Sequence, residues 1–211
     1  VFIINPQGKT LYHITQNQGL SNNTILSLFE DREKNLWIGL DNGIDCLNIS
    51  SPIKTFFDKT GILGTVYSSI QYKDKIYVGT NQGLFYKTNN SNNQYQIVNG
   101  TKGQVWSLFE YDNTLFCGPD SGTLVINEGN STVIYNQSGT WKFQNFPNNP
   151  NQLMQGNYSG ISILEKTTGG WKFKSKIAGF DYSSKFFEVN HPNEIIVSHE
   201  YKAIFRLSLN S

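Results

Sequence analysis

The side chains best suited to chemistry in this 211-residue chain are its three histidines, its two cysteines and a few acids. A zinc site needs three or four ligands converging on one point at roughly 2 Å. His13, His191 and His199 read as a strand end, a lower turn and an upper loop, too scattered for such a set. Glycoside hydrolysis needs two carboxylates facing one another across a cleft. Glu30 and Glu110 end the same strand of two different repeats, where solvated turn residues are the plainer reading. No Gly-x-Ser-x-Gly elbow, His-Glu-x-x-His pair or phosphate-binding loop occurs. The expectation is a chain with no catalytic residue, no metal and no cofactor. Cys46 and Cys117 lie in apolar strand runs and are expected as buried free thiols.

Binding chemistry is better represented. Tyr67 and Trp106 follow the apolar Val66 and Val105, and side-chain alternation could aim them at a channel or its mouth. Tyr158, His199 and Tyr201 replace small residues in loops. Asn42, Asn81 and Asp120 stand in loops flanked by glycine. Aromatic rings, amides and carboxylates suit pyranose faces and sugar hydroxyls, so these eight are the candidate ligand-binding residues. A bland reading stands beside each. The Asn and Asp side chains could cap tight turns by bonding their own backbone, and the aromatics could pack or contact a subunit. Trp141 and Trp171 share a local Gly-x-Trp-Lys-Phe or Gly-Trp-Lys-Phe pattern and are expected to pack.

The elements that must position these residues recur. Trp37-Ile38-Gly39 is echoed by Tyr77-Val78-Gly79 and Phe116-Cys117-Gly118, with glycines 40 and 39 residues apart. Gly156 continues the series, and Ser198 takes the glycine position after it. Each repeat reads as short apolar or alternating runs bounded by Gly, Asn, Asp and Ser, a strand pattern with no sustained helical period. Strands in sets of about four, repeating near every 40 residues, indicate an all-β chain: a β-propeller of four-stranded antiparallel blades. One blade cannot bury both faces, whereas radial stacking buries them against neighbours.

As one propeller portion spanning 1–211, the blades fall at about 19–57, 61–98, 100–135, 139–174 and 180–209, with 1–14 ending a preceding blade. The first blade's fourth strand is placed at Lys54–Phe57. The last blade lacks a fourth strand while the N-terminus offers two. An incomplete arc of a ring of about seven or eight blades therefore fits better than a closed ring of five. In this architecture Trp37, Tyr77 and Phe116 are inter-blade packing, and Gly39, Gly79, Gly118 and Gly156 serve turns or close backbone approach. The loops at 41–42, 81–82, 120–121, 157–159 and 199–201 should ring one face with the inter-blade turns. Binding residues usually sit on such loops over a rigid scaffold.

Charge is sparse, with 16% Asp, Glu, Lys and Arg and a formal net charge of +1. No basic run favours nucleic acid or an anionic membrane, and no apolar run is long enough to span a bilayer. The opening Val1-Phe2-Ile3-Ile4 lacks the features of a signal peptide and reads as the middle of something longer.

Gly19-Leu20-Ser21-Asn22-Asn23, Ile25 to Asp31, Leu36-Trp37-Ile38-Gly39 and Asp41-Asn42-Gly43-Ile44 together resemble the repeat of the two-component regulator propeller family. Asn35 departs from the usual glycine there, and Leu40 from the usual threonine. The second repeat keeps Val66, Tyr77 to Thr80 and Gly83-Leu84, and the third keeps Val105 to Glu110. The tail around Gln155 to Ile161 and Ile177 to Asp181 is similar to later propeller sections of Bacteroidetes members. The resemblance implies a periplasmic or otherwise extracytoplasmic sensor region of a membrane-anchored regulator. Relatives are hybrid histidine kinases or helix-turn-helix regulators that respond to oligosaccharides. The implied partners are an oligosaccharide and, for the parent protein, a homodimer or a contact with an adjacent propeller or β-sandwich. A scaffold propeller without its own small-molecule site is the alternative, and a lyase- or glycosidase-like enzyme a more distant one.

Overall fold

The computed structural model describes residues 1–53, 61–88 and 94–209. Twenty strands, all paired antiparallel, form six separate sheets among the described residues, and none closes into a barrel. The chain divides into two compact units, Val1–Gly61 and Ile62–Ser211. The placement of a strand at Lys54–Phe57 lies outside the described residues.

The first unit pairs β1 (Phe2–Ile4) with β2 (Thr10–His13), then forms a sheet of β3 (Ile25–Glu30), β4 (Asn35–Leu40) and β5 (Gly43–Asn48). Between them lies a short 3-10 turn at Gln16–Gln18 that the strand pattern does not reveal. Thr15 starts it through a capping box with Gln18, and Gly19 ends it at φ 113°. Side chains alternate across β4. Ile38 turns into a core with Leu20, Leu40 and the partly buried Val1 and Ile14, while Trp37 faces the other way and is 42% exposed.

That alternation corrects the expectation for Cys46. It pairs with Trp37 across β4 and β5, whereas its neighbour Leu47 packs on the Ile38 core. Cys46 therefore lies on the exposed face, and only Cys117 is buried. The apolar run around Cys46 serves one face only.

The second unit holds four sheets in chain order. The first is β6 (Val66–Tyr72), β7 (Lys75–Thr80), β8 (Leu84–Thr88) and β9 (Gln96–Ile97). Next come β10 (Val105–Tyr111), β11 (Thr114–Pro119), β12 (Thr123–Asn127) and β13 (Asn130–Tyr135). The third is β14 (Lys142–Asn145), β15 (Gln152–Asn157), β16 (Gly160–Thr167) and β17 (Gly170–Lys176). The last is β18 (Phe186–His191), β19 (Glu194–Ser198) and β20 (Ile204–Ser208). These are propeller blades. The first strands β6, β10 and β14 lie side by side, so each blade stacks its face on the next.

The second strands show how this stacking arises from a period of two. On β11, Leu115 and Cys117 enter a core with Tyr77 and Leu84 of the preceding blade and Val105 at the start of β10. Phe116 enters a different core with Phe143, Leu153, Leu164 and Trp171 of the following blade. On β15, Leu153 joins that core, and Met154 joins the next one with Phe187, Ile195 and Val197.

Close approach explains the glycines. A Cβ on Gly118 would lie 2.5 Å from the Thr140 carbonyl oxygen, and one on Gly156 would lie 1.9 Å from that of Ser184. On Gly79 it would lie 2.7 Å from the Val105 side chain. At Gly39 the near atoms all belong to Ser27, with the hydroxyl at 2.2 Å.

Candidate functional site

The site starts from a defect in the sheets. In β6 the register slips between Val66 and Ser68, and in β10 between Val105 and Ser107. Each slip is a β-bulge, which leaves one residue unpaired and re-aims its side chain. The re-aimed residues are Tyr67 and Trp106. Ser68, Ser107, Lys142 and Phe186 pair with Gly79, Gly118, Gly156 and Ser198 respectively, so the preceding residues share one structural place. That place is held by Tyr67, Trp106, Trp141 and Lys185 in successive blades of the second unit. In the first unit it is held by Leu26, which sits in an equivalent bulge.

These four side chains form a continuous row. The ring centroids of Tyr67 and Trp106 are 4.7 Å apart at 44°, and those of Trp106 and Trp141 4.9 Å apart at 39°. The Lys185 ammonium lies 5.0 Å from the Trp141 ring centre. Aromatic contacts of this kind contribute about 0.5–1.5 kcal/mol each, and an exposed cation–π contact about 0.5–1. Tyr67 is 42% exposed, and the two tryptophans are half-buried. The indole N–H groups of Trp106 and Trp141 are buried and meet no protein acceptor.

Tyr158 closes one side. It occupies the β15–β16 turn, with its ring 5.1 Å from Trp141 and seated on Gly139, where a Cβ would strike it at 2.3 Å. Its hydroxyl donates to Asp120 Oδ1 at 2.6 Å, across from the β11–β12 turn. Burial, the bond to Asp120 and the charge of Asp120 push the phenol up to about 12. The nearby Trp106 N–H pulls the other way without reaching hydrogen-bond geometry. The phenol therefore stays a neutral donor at any physiological pH.

The loops converge with the inter-blade turns through backbone bonds. Asn81 N–H donates to the Thr65 carbonyl, Asp120 N–H to that of Gln104, and Gly139 N–H to that of Asp120. Tyr67, Trp106, Tyr158 and Asp120 are thus brought together.

The other candidates have other contacts. Asn81 is a clamp, its Oδ1 accepting from Thr65 N–H at 2.7 Å. Asn42 is exposed in the β4–β5 turn of the first unit. His199 and Tyr201 pack edge to face with each other, and His199 packs likewise on Tyr182. They form a second cluster, linked to the row through Glu200, whose carboxylate pairs with Lys185 at 2.8 Å.

Among the structural candidates, Tyr77 and Phe116 are buried between blades and Trp37 is partly exposed. Two members of the row escaped the sequence reading. Trp141 was expected only to pack, and Lys185 gave no signal. Trp141 and Lys185 lie 15 and 13 residues before the glycine position, against 12 for Tyr67 and Trp106, so only the strand pairing aligns them.

Among the described residues, no group of three His, Cys, Asp or Glu could hold a metal. No helix there is long and apolar enough to cross a membrane. A groove of about 350 Å³ lined by Tyr72, Tyr77, Asn113 and Glu128 opens by the β6–β7 turn, away from the row.

The sheets define the class of architecture, and comparison with known proteins agrees. Residues 19–42 match the family model for the two component regulator propeller. No curated protein matches the chain. Among solved structures, the chain is similar to the extracellular domain assigned to the hybrid two component system BT3049 of B. thetaiotaomicron. The identity is 16% and the TM-score 0.57, over 99% of this chain and 29% of that one. A second is the extracellular domain assigned to the one component system BT4673 of B. thetaiotaomicron, at 18% and 0.57, over 96% of this chain and 32% of that one. A third is the computationally designed Ika4 protein, at 14% and 0.51, over 69% and 92%. This chain thus spans about a third of the two bacterial domains. At these identities the likeness carries the propeller fold.

Proposed function

We propose that this chain is part of an extracytoplasmic sensor propeller and binds an oligosaccharide on the row Tyr67–Trp106–Trp141 with Tyr158 and Asp120. It acts by binding, without chemistry of its own. The match at residues 19–42 and the extracellular location of the two bacterial relatives support the setting. The observation that carries the site is the row itself: three consecutive blades place an aromatic ring just before the residue that pairs with the glycine position, at bulges for Tyr67 and Trp106, a place the repeat fills with Leu26 elsewhere. The tilted rings of the row offer an apolar strip for the C–H faces of sugars. Tyr158 and Asp120 beside it offer hydroxyl and carboxylate partners for ring hydroxyls.

The test is calorimetric titration of the chain, and of its longer parent, with a panel of glycan fragments. Tyr67→Ala and Tyr158→Ala should each weaken binding about 10-fold or more, consistent with roughly 1–3 kcal/mol for a lost stacking or hydrogen-bonding partner. Absence of binding by the parent to every fragment, or affinity unmoved by both substitutions, removes the proposed site.

A further inference from the structure

The row's fourth place holds a cation where the three before it hold rings. From this we infer that the preferred ligand is an acidic sugar, one carrying a carboxylate that Lys185 receives. The inference rests on the row being the binding surface.

The argument is one of available partners. Lys142, the next residue after Trp141, is held twice, by the Phe187 carbonyl at 2.8 Å and by Glu188, with its ammonium also over the Phe187 ring. Lys185 has one polar partner among the described residues, Glu200 Oε1 at 2.8 Å. Its remaining neighbours are apolar, the rings of Trp141 at 5.0 Å and Phe186 at 5.2 Å. Both members of the pair are well exposed, with side chains 38% and 37% accessible. Exposed pairs of this kind are worth only about 0–1 kcal/mol. A ligand carboxylate can therefore replace Glu200 at small cost, while the two rings keep the ammonium in place.

Glu200 lies in the turn between β19 and β20, between His199 and Tyr201. His199 Nδ1 accepts the Tyr201 N–H at 3.1 Å, and the His199 N–H donates to the Ala203 carbonyl at 3.0 Å.

The experiment titrates the chain and its parent with oligogalacturonides and with hyaluronan tetrasaccharides, each with its carboxylates free and methyl-esterified. The free-acid form is expected to bind about 10-fold tighter than its ester. Lys185→Met should erase that preference, bringing the acid and its ester to equal affinity. Glu200→Gln, which removes the competitor, should tighten the acid form about 3-fold and leave the ester alone. Equal affinity for acid and ester overturns the inference, as does a preference that survives Lys185→Met. If esters and neutral fragments bind in a Tyr158-dependent manner while acids gain nothing, the acidic preference alone fails. If no fragment of either kind binds, the reading of the row fails with it.

Discussion

Trp37 and Phe116 occupy the same place in their repeats, two residues before the recurring glycine, and meet opposite fates. Phe116 is fully buried, with Phe143 at 5.7 Å and the edge of Trp171 at 5.3 Å. Trp37 is 42% exposed and held by a hydrogen bond from its indole to Asp31 at 2.9 Å. The repeat dictates strand, face and register; what a side chain does there depends on what lies against that face. The contrast extends to the residue before the one that pairs with the glycine position. The first unit, whose sequence is closest to the family repeat, places Leu26 there, and the second unit places Tyr67, Trp106, Trp141 and Lys185. The repeat keeps the position and changes the side chain that fills it.

The sharpest test of this contrast compares two tryptophans. Trp171→Ala empties a buried site packed on Phe116 and Tyr111 and should cost about 3–5 kcal/mol in the second unit. Trp37→Ala removes an exposed ring and one hydrogen bond and should cost about 1 kcal/mol. Urea unfolding of both variants measures this, and equal losses would mean the two faces are equivalent after all.

A smaller effect separates two glycines of the same series. Gly156→Ala drives a Cβ against the Ser184 carbonyl of the next blade, where the obstacle is backbone, and should cost about 2–3 kcal/mol. Gly39→Ala meets the Ser27 hydroxyl, which can rotate away. The loss of unfolded-state freedom offsets that contact, so the change should stay within about 1 kcal/mol of neutral. Melting temperatures that fall equally for both would show that the glycines serve strand geometry alone and not the approach of blades.

These positions show how far the sequence carries. The blade pattern was legible because alternation, turn residues and glycine spacing are local and repeat. Gly118 and Gly156 were readable as close approaches for the same reason. The bulge was not, because it is a slip between two strands and leaves no mark on either one. Tyr67 and Trp106 stood out only as large residues after valine. Trp141 follows Thr140 and was taken for packing, and Lys185 follows Ser184 in a strand read as starting there. The exposure of Cys46 was hidden for a related reason, since an apolar run does not show which of its faces is covered. Asn81 had the look of a ligand residue, but bonding Thr65 across the blade's end is a contact between segments that the sequence cannot display.

The smallest expected effect concerns how the first unit holds its tryptophan. Asp31 accepts from the Trp37 indole, from the Asn35 side chain at 3.0 Å, and from the backbone N–H groups of Asn35 and Glu33 at 2.9 Å. These bonds, Trp37's first and the Asn35 amide's next, outweigh desolvation and lower the carboxyl from 3.8 to about 2. A depressed folded-state pKa stabilises the fold above the unfolded value, and that stabilisation is lost as pH falls through the folded one. The contribution is therefore complete above about pH 4 and declines toward pH 2. Asp31→Asn should differ from the parent chain most at neutral pH, with the gap closing between pH 4 and 2 in urea midpoints. Trp37→Phe should move the Asp31 titration, followed by NMR of its carboxyl carbon, upward toward the usual range. The second repeat has Lys73-Asp74-Lys75 at its turn, and Tyr77 is buried instead of bonded to that acid. If Trp37→Phe leaves the Asp31 titration in place, the turn amides alone hold the carboxylate. Trp37 is then free to turn away from it, and the two units differ in exposure without differing in how their aromatics are held.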